Sequence, residues 1–165
     1  MITPAYVRTM AAYTAEMNRR FYAAAARLTD AERHADRGAF FGSLHGTLAH
    51  ILWADHIWMS RFAGWDKPAA TPRQSPGLYP GFADLRHARG DTDARLVGWA
   101  ATLSQDWLDQ DLVWFSSALQ REQRHPRALL VVHMFNHATH HRGQAHALLT
   151  AMGEDTGDTD LPFVL

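Results

Sequence analysis

His137 and His141 lie four residues apart within an apolar stretch that is compatible with a helix. Residues at this spacing share one helix face, one turn apart, so their imidazole rings can bind the same metal ion. The chain contains no cysteine, which means that a transition-metal site must use histidine and carboxylate side chains. A histidine-ligated metal site is therefore the first hypothesis, and the alternative that the pair alone leaves open is two core histidines with ordinary hydrogen bonds.

Other polar side chains fall on the same predicted helix face. A rotation of about 100° per residue places His133, His140, Gln144 and Leu148 on the stripe of the pair and turns Arg142 away, and we expect this stripe to face the protein interior. Gln144 is either a group that orients a ligand or substrate, or a core amide. His133 is either a group next to the ligands that contacts substrate, or a simple core histidine.

A stable site usually takes three protein ligands, so another helix must supply the third. The second predicted helix offers His45, His50 and His56. His45 and His56 fall near Ser60 on its most polar strip, which we expect to face solvent. His50 has apolar surroundings, and a buried imidazole needs partners. We therefore predict His50 as the third ligand, with His45 as the alternative.

Two common metal-site patterns are absent from the chain. Carboxylate-bridged di-metal bundles need several glutamates on facing helices, whereas glutamate occurs here only at positions 16, 32, 122 and 154, away from these histidines. The zincin motif needs glutamate directly after the first histidine, and Ala138 follows His137. Both kinds of metal site therefore fit this sequence poorly.

Hydrophobic periodicity and capping residues predict the elements that position these side chains. Thr3 and Pro4 are typical of a helix start, and Thr29 with Glu32 has the pattern of a capping box. Helices are predicted over 6–28, 43–62, 82–103 and 126–153, a loop with four prolines over 65–81, and short extended pieces over 112–115 and 119–124. Four long helices with one long connection indicate an all-α four-helix bundle with a crossover, in a single domain over 1–165.

Composition and charge exclude several functions. With 47% hydrophobic and 20% charged residues, the chain is typical of a globular protein. A net charge of −1 gives no basic excess for nucleic acid or an anionic membrane, and no apolar run reaches the roughly 18 residues that span a bilayer. The lack of cysteine suits a reducing compartment. We therefore expect a cytoplasmic protein without nucleic-acid or membrane partners.

Three segments carry a resemblance to a known family. The box formed by His137, His141, Arg142, Gly143 and Gln144, the segment 42–55 around His50, and the tail 160–163 are similar to the DinB (DinB/YfiT-like) metalloenzymes over essentially the whole chain. The resemblance implies an up-down-down-up four-helix bundle, frequently a homodimer, with a metal ion held by three histidines. These map onto His50, His137 and His141. The family often has asparagine before the first ligand, where this chain has Ala49.

Such a site has a defined range of chemistry. Three neutral imidazoles leave a divalent ion, for which we expect zinc or nickel, with its full charge and open positions. Hydrolysis, thiol transfer and isomerisation are then possible. The family is related to thiol-dependent S-transferases and to a mycothiol-dependent maleylpyruvate isomerase, so the resemblance favours thiol transfer between a low-molecular-weight thiol and a small-molecule substrate.

The alternative is a non-catalytic metal-binding or stress-response protein whose ion is structural or sensing. An open coordination position beside a lined pocket favours the enzyme, and a fourth protein ligand favours the alternative. Four tryptophans are candidates to line such a pocket: Trp53, Trp58, Trp65 and Trp114.

Overall fold

The computed structural model describes residues 1–117 and 119–165, and it is mostly helical. Its elements in chain order are α1 Pro4–Ala25, α2 Asp30–His34, α3 Leu44–Ala63, a 3₁₀ turn Ser75–Gly77, α4 Phe82–Thr102, α5 Gln105–Leu108, β1 Asp111–Ser116, β2 Arg121–Pro126, α6 Arg127–Ala151 and α7 Leu161–Val164. The long helices and the connection between α3 and α4 lie where the sequence predicts them. Within the described residues, no helix is both long and apolar enough to cross a membrane.

Local side-chain contacts fix where the helices begin and end. The Thr3 hydroxyl accepts a hydrogen bond from the Tyr6 amide (3.3 Å), and the Ser43 hydroxyl accepts one from the Gly46 amide (3.0 Å). Each contact satisfies a free N–H at a helix start. Gly64 ends α3 with φ of 66°, a left-handed conformation that favours glycine. The sequence-predicted capping box of α2 is present.

The four long helices pack against one another: α1 contacts α4 and α6, and α3 contacts α4 and α6. Large apolar side chains fill the space between them in two clusters, one around Phe21, Leu48 and Leu149, the other around Met59, Leu96 and Phe135. Fifteen of the 20 residues of α3 are buried, so this helix runs through the interior, as its apolar composition predicts.

The all-α prediction is incomplete, because β1 and β2 pair as an antiparallel hairpin with Trp114 opposite Gln123. Exposed and half-buried side chains alternate along β1, as expected for a strand with one face on the protein body. The half-buried Trp114 contacts Trp58 of α3, with ring centroids 5.9 Å apart. The hairpin leads directly into α6 and contacts α3 through Trp58.

A buried ionic cluster joins three of the long helices. Arg89 of α4 donates to Asp55 of α3 (2.7 Å) and lies 2.7 Å from Asp93, which accepts a hydrogen bond from Asn18 of α1 (2.9 Å). Burial raises the pKa of the Asp93 carboxyl to about 6, although Arg89 and Asn18 act in the opposite direction. One guanidinium thus serves two carboxylates in the interior.

Candidate metal centre

Three imidazole rings from two helices converge between α3 and α6. The Nε2 atom of His137 lies 3.5 Å from Nε2 of His50 and 3.2 Å from Nε2 of His141. Each of the three residues offers one ligand atom, and these atoms all lie within 4.8 Å of one another. Ligands of a tetrahedral ion bound at about 2.0–2.1 Å are separated by about 3.3 Å. The spacing therefore fits a common metal ion.

Two side chains fix which ring nitrogen carries the proton. Nδ1 of His50 lies 2.9 Å from the Ser75 hydroxyl oxygen, and this hydroxyl donates to the Pro72 carbonyl (2.7 Å). Because the hydroxyl proton is used, Ser75 accepts, and the Nδ1–H of His50 donates. Nδ1 of His141 lies 2.9 Å from the Gln144 amide oxygen, which only accepts. In both neutral rings, Nε2 therefore keeps a free lone pair that faces the cluster.

The local environment keeps these rings neutral. Burial, with a smaller contribution from the neighbouring rings, lowers the pKa of His50 to about 3 and that of His137 to about 4. Burial also lowers the pKa of His141. Neutral imidazoles are metal ligands, and a cation bound between the three rings would be attracted by their lone pairs. The donor set thus fits a divalent transition metal.

Aromatic side chains cover His50. The Phe41 ring stacks on it with centroids 3.7 Å apart, and Trp53 lies 5.4 Å away on the same helix as His50. The backbone of Phe41 reaches this position only because residue 46 is glycine: a Cβ on Gly46 would lie 2.5 Å from the Phe41 carbonyl oxygen. Sequence reasoning missed Phe41 and Ser75, since each acts through a fold-dependent contact with no spacing signature.

The structure corrects the predicted stripe on α6. His137 is half-buried and His141 is buried, but His133 and His140 are exposed. Arg142, which was expected to point away, is buried and donates to two threonine hydroxyls. The buried face of α6 carries small and apolar side chains, such as Ala138 and Ala145, which follow His137 and Gln144 of the predicted stripe by one position. The candidate centre therefore lies at the edge of the α3–α6 contact, where a small molecule can approach.

The prediction for His45 and His56 is wrong, because neither faces solvent. His45 is 2% exposed, with Nε2 2.6 Å from the Tyr79 carbonyl oxygen and its ring stacked on His34. His56 is half-buried, with Nε2 2.8 Å from the Thr92 hydroxyl. The loop before α4 and helix α4 itself cover this face of α3. His45 is engaged away from the three-histidine group and does not join it.

A groove of about 480 Å³ adjoins the centre, between the end of α3, the 65–72 segment and β1. Trp53, Trp65 and Trp114 line it, and Trp58 packs behind Trp114. Trp53 connects the groove to His50, and Pro72 connects it to Ser75. A larger surface depression of about 810 Å³ lies by α2 and α4. None of the three histidines lines either cavity, but the groove, unlike the depression, is lined by Trp53 and Pro72, which contact His50 and Ser75. The groove is therefore the candidate small-molecule site.

Comparison with known proteins supports one assignment. The model of the DinB family matches residues 1–165, the whole chain. No curated protein and no solved structure matches the sequence or fold of this chain.

Proposed function

This chain belongs to the DinB family, and we propose that it is a metal-dependent enzyme with a divalent ion on His50, His137 and His141. The convergence of the three rings carries this proposal: the Nε2 atoms of His50 and His141 lie 3.5 Å and 3.2 Å from Nε2 of His137. The reaction that we favour is transfer of a low-molecular-weight thiol to a small electrophilic substrate, with metal-dependent hydrolysis as a related possibility. We further propose zinc or nickel as the ion.

The composition of the site favours catalysis over a structural ion. Within the described parts of the chain, no fourth histidine or carboxylate joins the three-histidine group. An ion with three protein ligands keeps a position for water or substrate, whereas structural zinc sites use four protein ligands. The groove next to Trp53 gives a substrate a place to bind beside that position.

Each neighbouring residue has a defined part in this proposal. A bound divalent ion would supply Lewis acidity and lower the pKa of a thiol or water ligand. Ser75 and Gln144 hold the rings of His50 and His141 in the tautomer that binds metal. Phe41 excludes water from one face of His50. His133 is exposed, 5.8 Å from His137 between ring centroids, and is placed to exchange a proton with a substrate.

Further proposals concern the molecule as a whole. We infer that the four packed helices form the up-down-down-up bundle of the family, with the 64–81 segment as the crossover. We also propose a homodimer in the cytoplasm, with a small-molecule substrate and no nucleic-acid partner. The near-neutral charge of the chain supports the last point.

Elemental analysis of the purified protein tests metal binding. We expect about one zinc or nickel ion per chain, and His141→Ala should lose it while the helical circular dichroism is retained. His146→Ala is the matched control, because this ring lies on the same helix but packs on Phe21. Wild-type protein without metal after growth in metal-replete medium would contradict the site, and unfolding of His141→Ala would assign the ion a structural role.

A reaction screen tests the enzymatic part. Small thiols are combined with an electrophilic acceptor such as 1-chloro-2,4-dinitrobenzene, and activated esters are tested for hydrolysis. We expect thiol-dependent turnover by the wild-type protein and none by His141→Ala. Chelation of metal should abolish the turnover of the wild-type protein, and restoring the metal should recover it. Turnover that does not depend on metal would refute the proposed mechanism.

A further inference from the structure

The groove beside the candidate centre contains a cation without a protein counter-charge. Arg61 of α3 lines the groove and is half-buried. Across residues 1–117 and 119–165, no carboxylate forms an ion pair with its guanidinium. Burial lowers the pKa of Arg61, and no charged neighbour acts against that effect. The buried arginines of the described residues, Arg33, Arg89 and Arg142, all have polar partners, whereas Arg61 is half-buried against two aromatic rings.

Two tryptophan rings hold the guanidinium in place. Its central carbon lies 4.5 Å from the ring centroid of Trp58 and 5.2 Å from that of Trp114. The two rings are inclined to each other by 73°, so the guanidinium lies parallel to at most one of them, and its contacts with both stabilise the cation. Cation–π contacts use none of the five N–H donors of a guanidinium, so these donors remain available for hydrogen bonds to a carboxylate.

The remaining walls of the groove define the rest of the ligand. Trp53, Trp65 and Phe115 give it flat apolar surfaces, and Lys67 adds a second positive charge. Among the residues that the structure describes, no acidic side chain lines it. A volume of about 480 Å³ lies within the range of about 300–1,000 Å³ typical of small-molecule sites. The groove is therefore complementary in shape and charge to a small molecule that has a flat apolar body and one anionic group.

A chain of ring contacts links Arg61 to the metal centre. Trp58 contacts His133 with centroids 5.1 Å apart, and His133 contacts His137 at 5.8 Å. Trp53 gives a second link, through its stacking on His50. A ligand whose carboxylate is held by Arg61 would thus extend along the groove toward Trp53, the lining residue that stacks on His50.

We infer that this groove binds a small molecule with a flat apolar body and a carboxylate, and that Arg61 recognises the carboxylate. Its use as a substrate site rests on the proposed function, but the binding step does not require the metal. Arg61 would thereby set which substrates reach the centre, with the carboxylate at one end and the reacting carbon at the other.

Calorimetric titration with 2-naphthoate and its neutral analogue 2-naphthamide tests this inference. The two probes have the same shape and differ in charge. Because hydrogen bonds to charged groups are the stronger ones, we expect the wild-type protein to prefer naphthoate by about tenfold or more. Arg61→Met should remove the preference, and Arg61→Lys, which keeps the charge but loses the planar pair of donors, should reduce it severalfold.

Arg95→Met is the matched control. Arg95 also stacks on a tryptophan, 3.8 Å from the ring centroid of Trp65, but it belongs to α4 and does not line the groove. This variant should keep the preference of the wild-type protein. Circular dichroism of each variant checks the fold, and Arg61→Lys keeps the test decisive if Arg61→Met is unstable.

Each titration is repeated after chelation of metal, so that the two proposals are tested separately. An Arg61-dependent preference that persists after chelation supports the inference, even if the protein proves to hold no metal. Equal affinity for the two probes, or binding of neither, would overturn it. The inference would also be overturned if the preference for naphthoate disappeared after chelation but was the same in Arg61→Met and Arg61→Lys as in the wild-type protein. The metal would then be the group that binds the carboxylate.

Discussion

Replacing Ser75 with alanine should weaken metal binding although Ser75 does not touch the metal. Ser75 is fully buried, and its hydroxyl joins Nδ1 of His50 to the Pro72 carbonyl. Without the hydroxyl, the Nδ1–H of His50 has lost its acceptor. The His50 ring then favours its other neutral tautomer, in which the proton is on Nε2 and the lone pair that would bind metal is no longer available.

The expected magnitude follows from the same contact. A buried donor left without its partner costs about 1–3 kcal/mol. Loss of a group that orients a metal ligand typically lowers metal affinity by about 10–100-fold, which corresponds to about 1.4–2.8 kcal/mol and agrees with that cost. We therefore expect Ser75→Ala to bind zinc about 10–100 times more weakly than wild-type protein, with all three ligands still present.

Competition with a chromogenic chelator measures this affinity, at a temperature where circular dichroism shows each variant to be folded. Ser60→Ala is the control, because this hydroxyl lies on the same helix as His50 but donates to the Ile57 carbonyl. The control should bind zinc like the wild-type protein. If Ser75→Ala retained the wild-type affinity within about twofold, the assignment of the His50 tautomer would be refuted.

Two further predictions concern stability. Arg89→Met leaves the buried carboxylates of Asp55 and Asp93 without their cation and should lower the free energy of unfolding by about 3–5 kcal/mol in urea titrations. The control is Arg95→Met, on the same helix but exposed, which should lower the free energy of unfolding by about 1 kcal/mol or less. Equal losses in the two variants would argue against the ionic cluster. In metal-free protein, folding lowers the pKa of His50 from 6.5 to about 3. Between these two pH values the His50 ring binds a proton in the unfolded chain but not in the folded protein, so the free energy of unfolding decreases as the pH falls below about 6.5. Between about pH 6 and 4, His50→Gln should reduce the slope of this loss by about 1.4 kcal/mol per pH unit, and an unchanged slope would contradict the assigned environment.

The helices were predictable because their signals are local. Thr3 and Ser43 begin helices through contacts three residues away, and Gly64 ends one through its own φ. The spacing of His137 and His141 is likewise a local property of a helix. The convergence of His50 with these two residues depends on how two helices pack, which is not a local property. His50 was nevertheless predicted as the third ligand, because its neighbours in the sequence are apolar.

Contacts between distant segments were not predictable. His45 lies on a polar strip in the sequence, but it is buried because the loop before α4 covers it and its ring bonds to the Tyr79 carbonyl. Arg142 lies off the predicted stripe, but its contacts with the hydroxyls of Thr14 and Thr139 have no sequence signature. Ser75 follows a proline-rich stretch that gives no pattern for its contact with His50. In each case the partner depends on how a loop or a second helix folds back, which periodicity does not encode.

The 65–81 connection belongs to two parts of the molecule at once. Its Pro72 forms part of the groove wall, and its Ser75 holds the His50 ring. If the groove and the three histidines bind as proposed, a molecule that shifts this connection on entering the groove would also change how tightly the ion is held. By thermodynamic reciprocity, the ion would then change the affinity for that molecule by the same factor. Metal binding and ligand binding would therefore be linked equilibria, joined through a single short stretch of backbone.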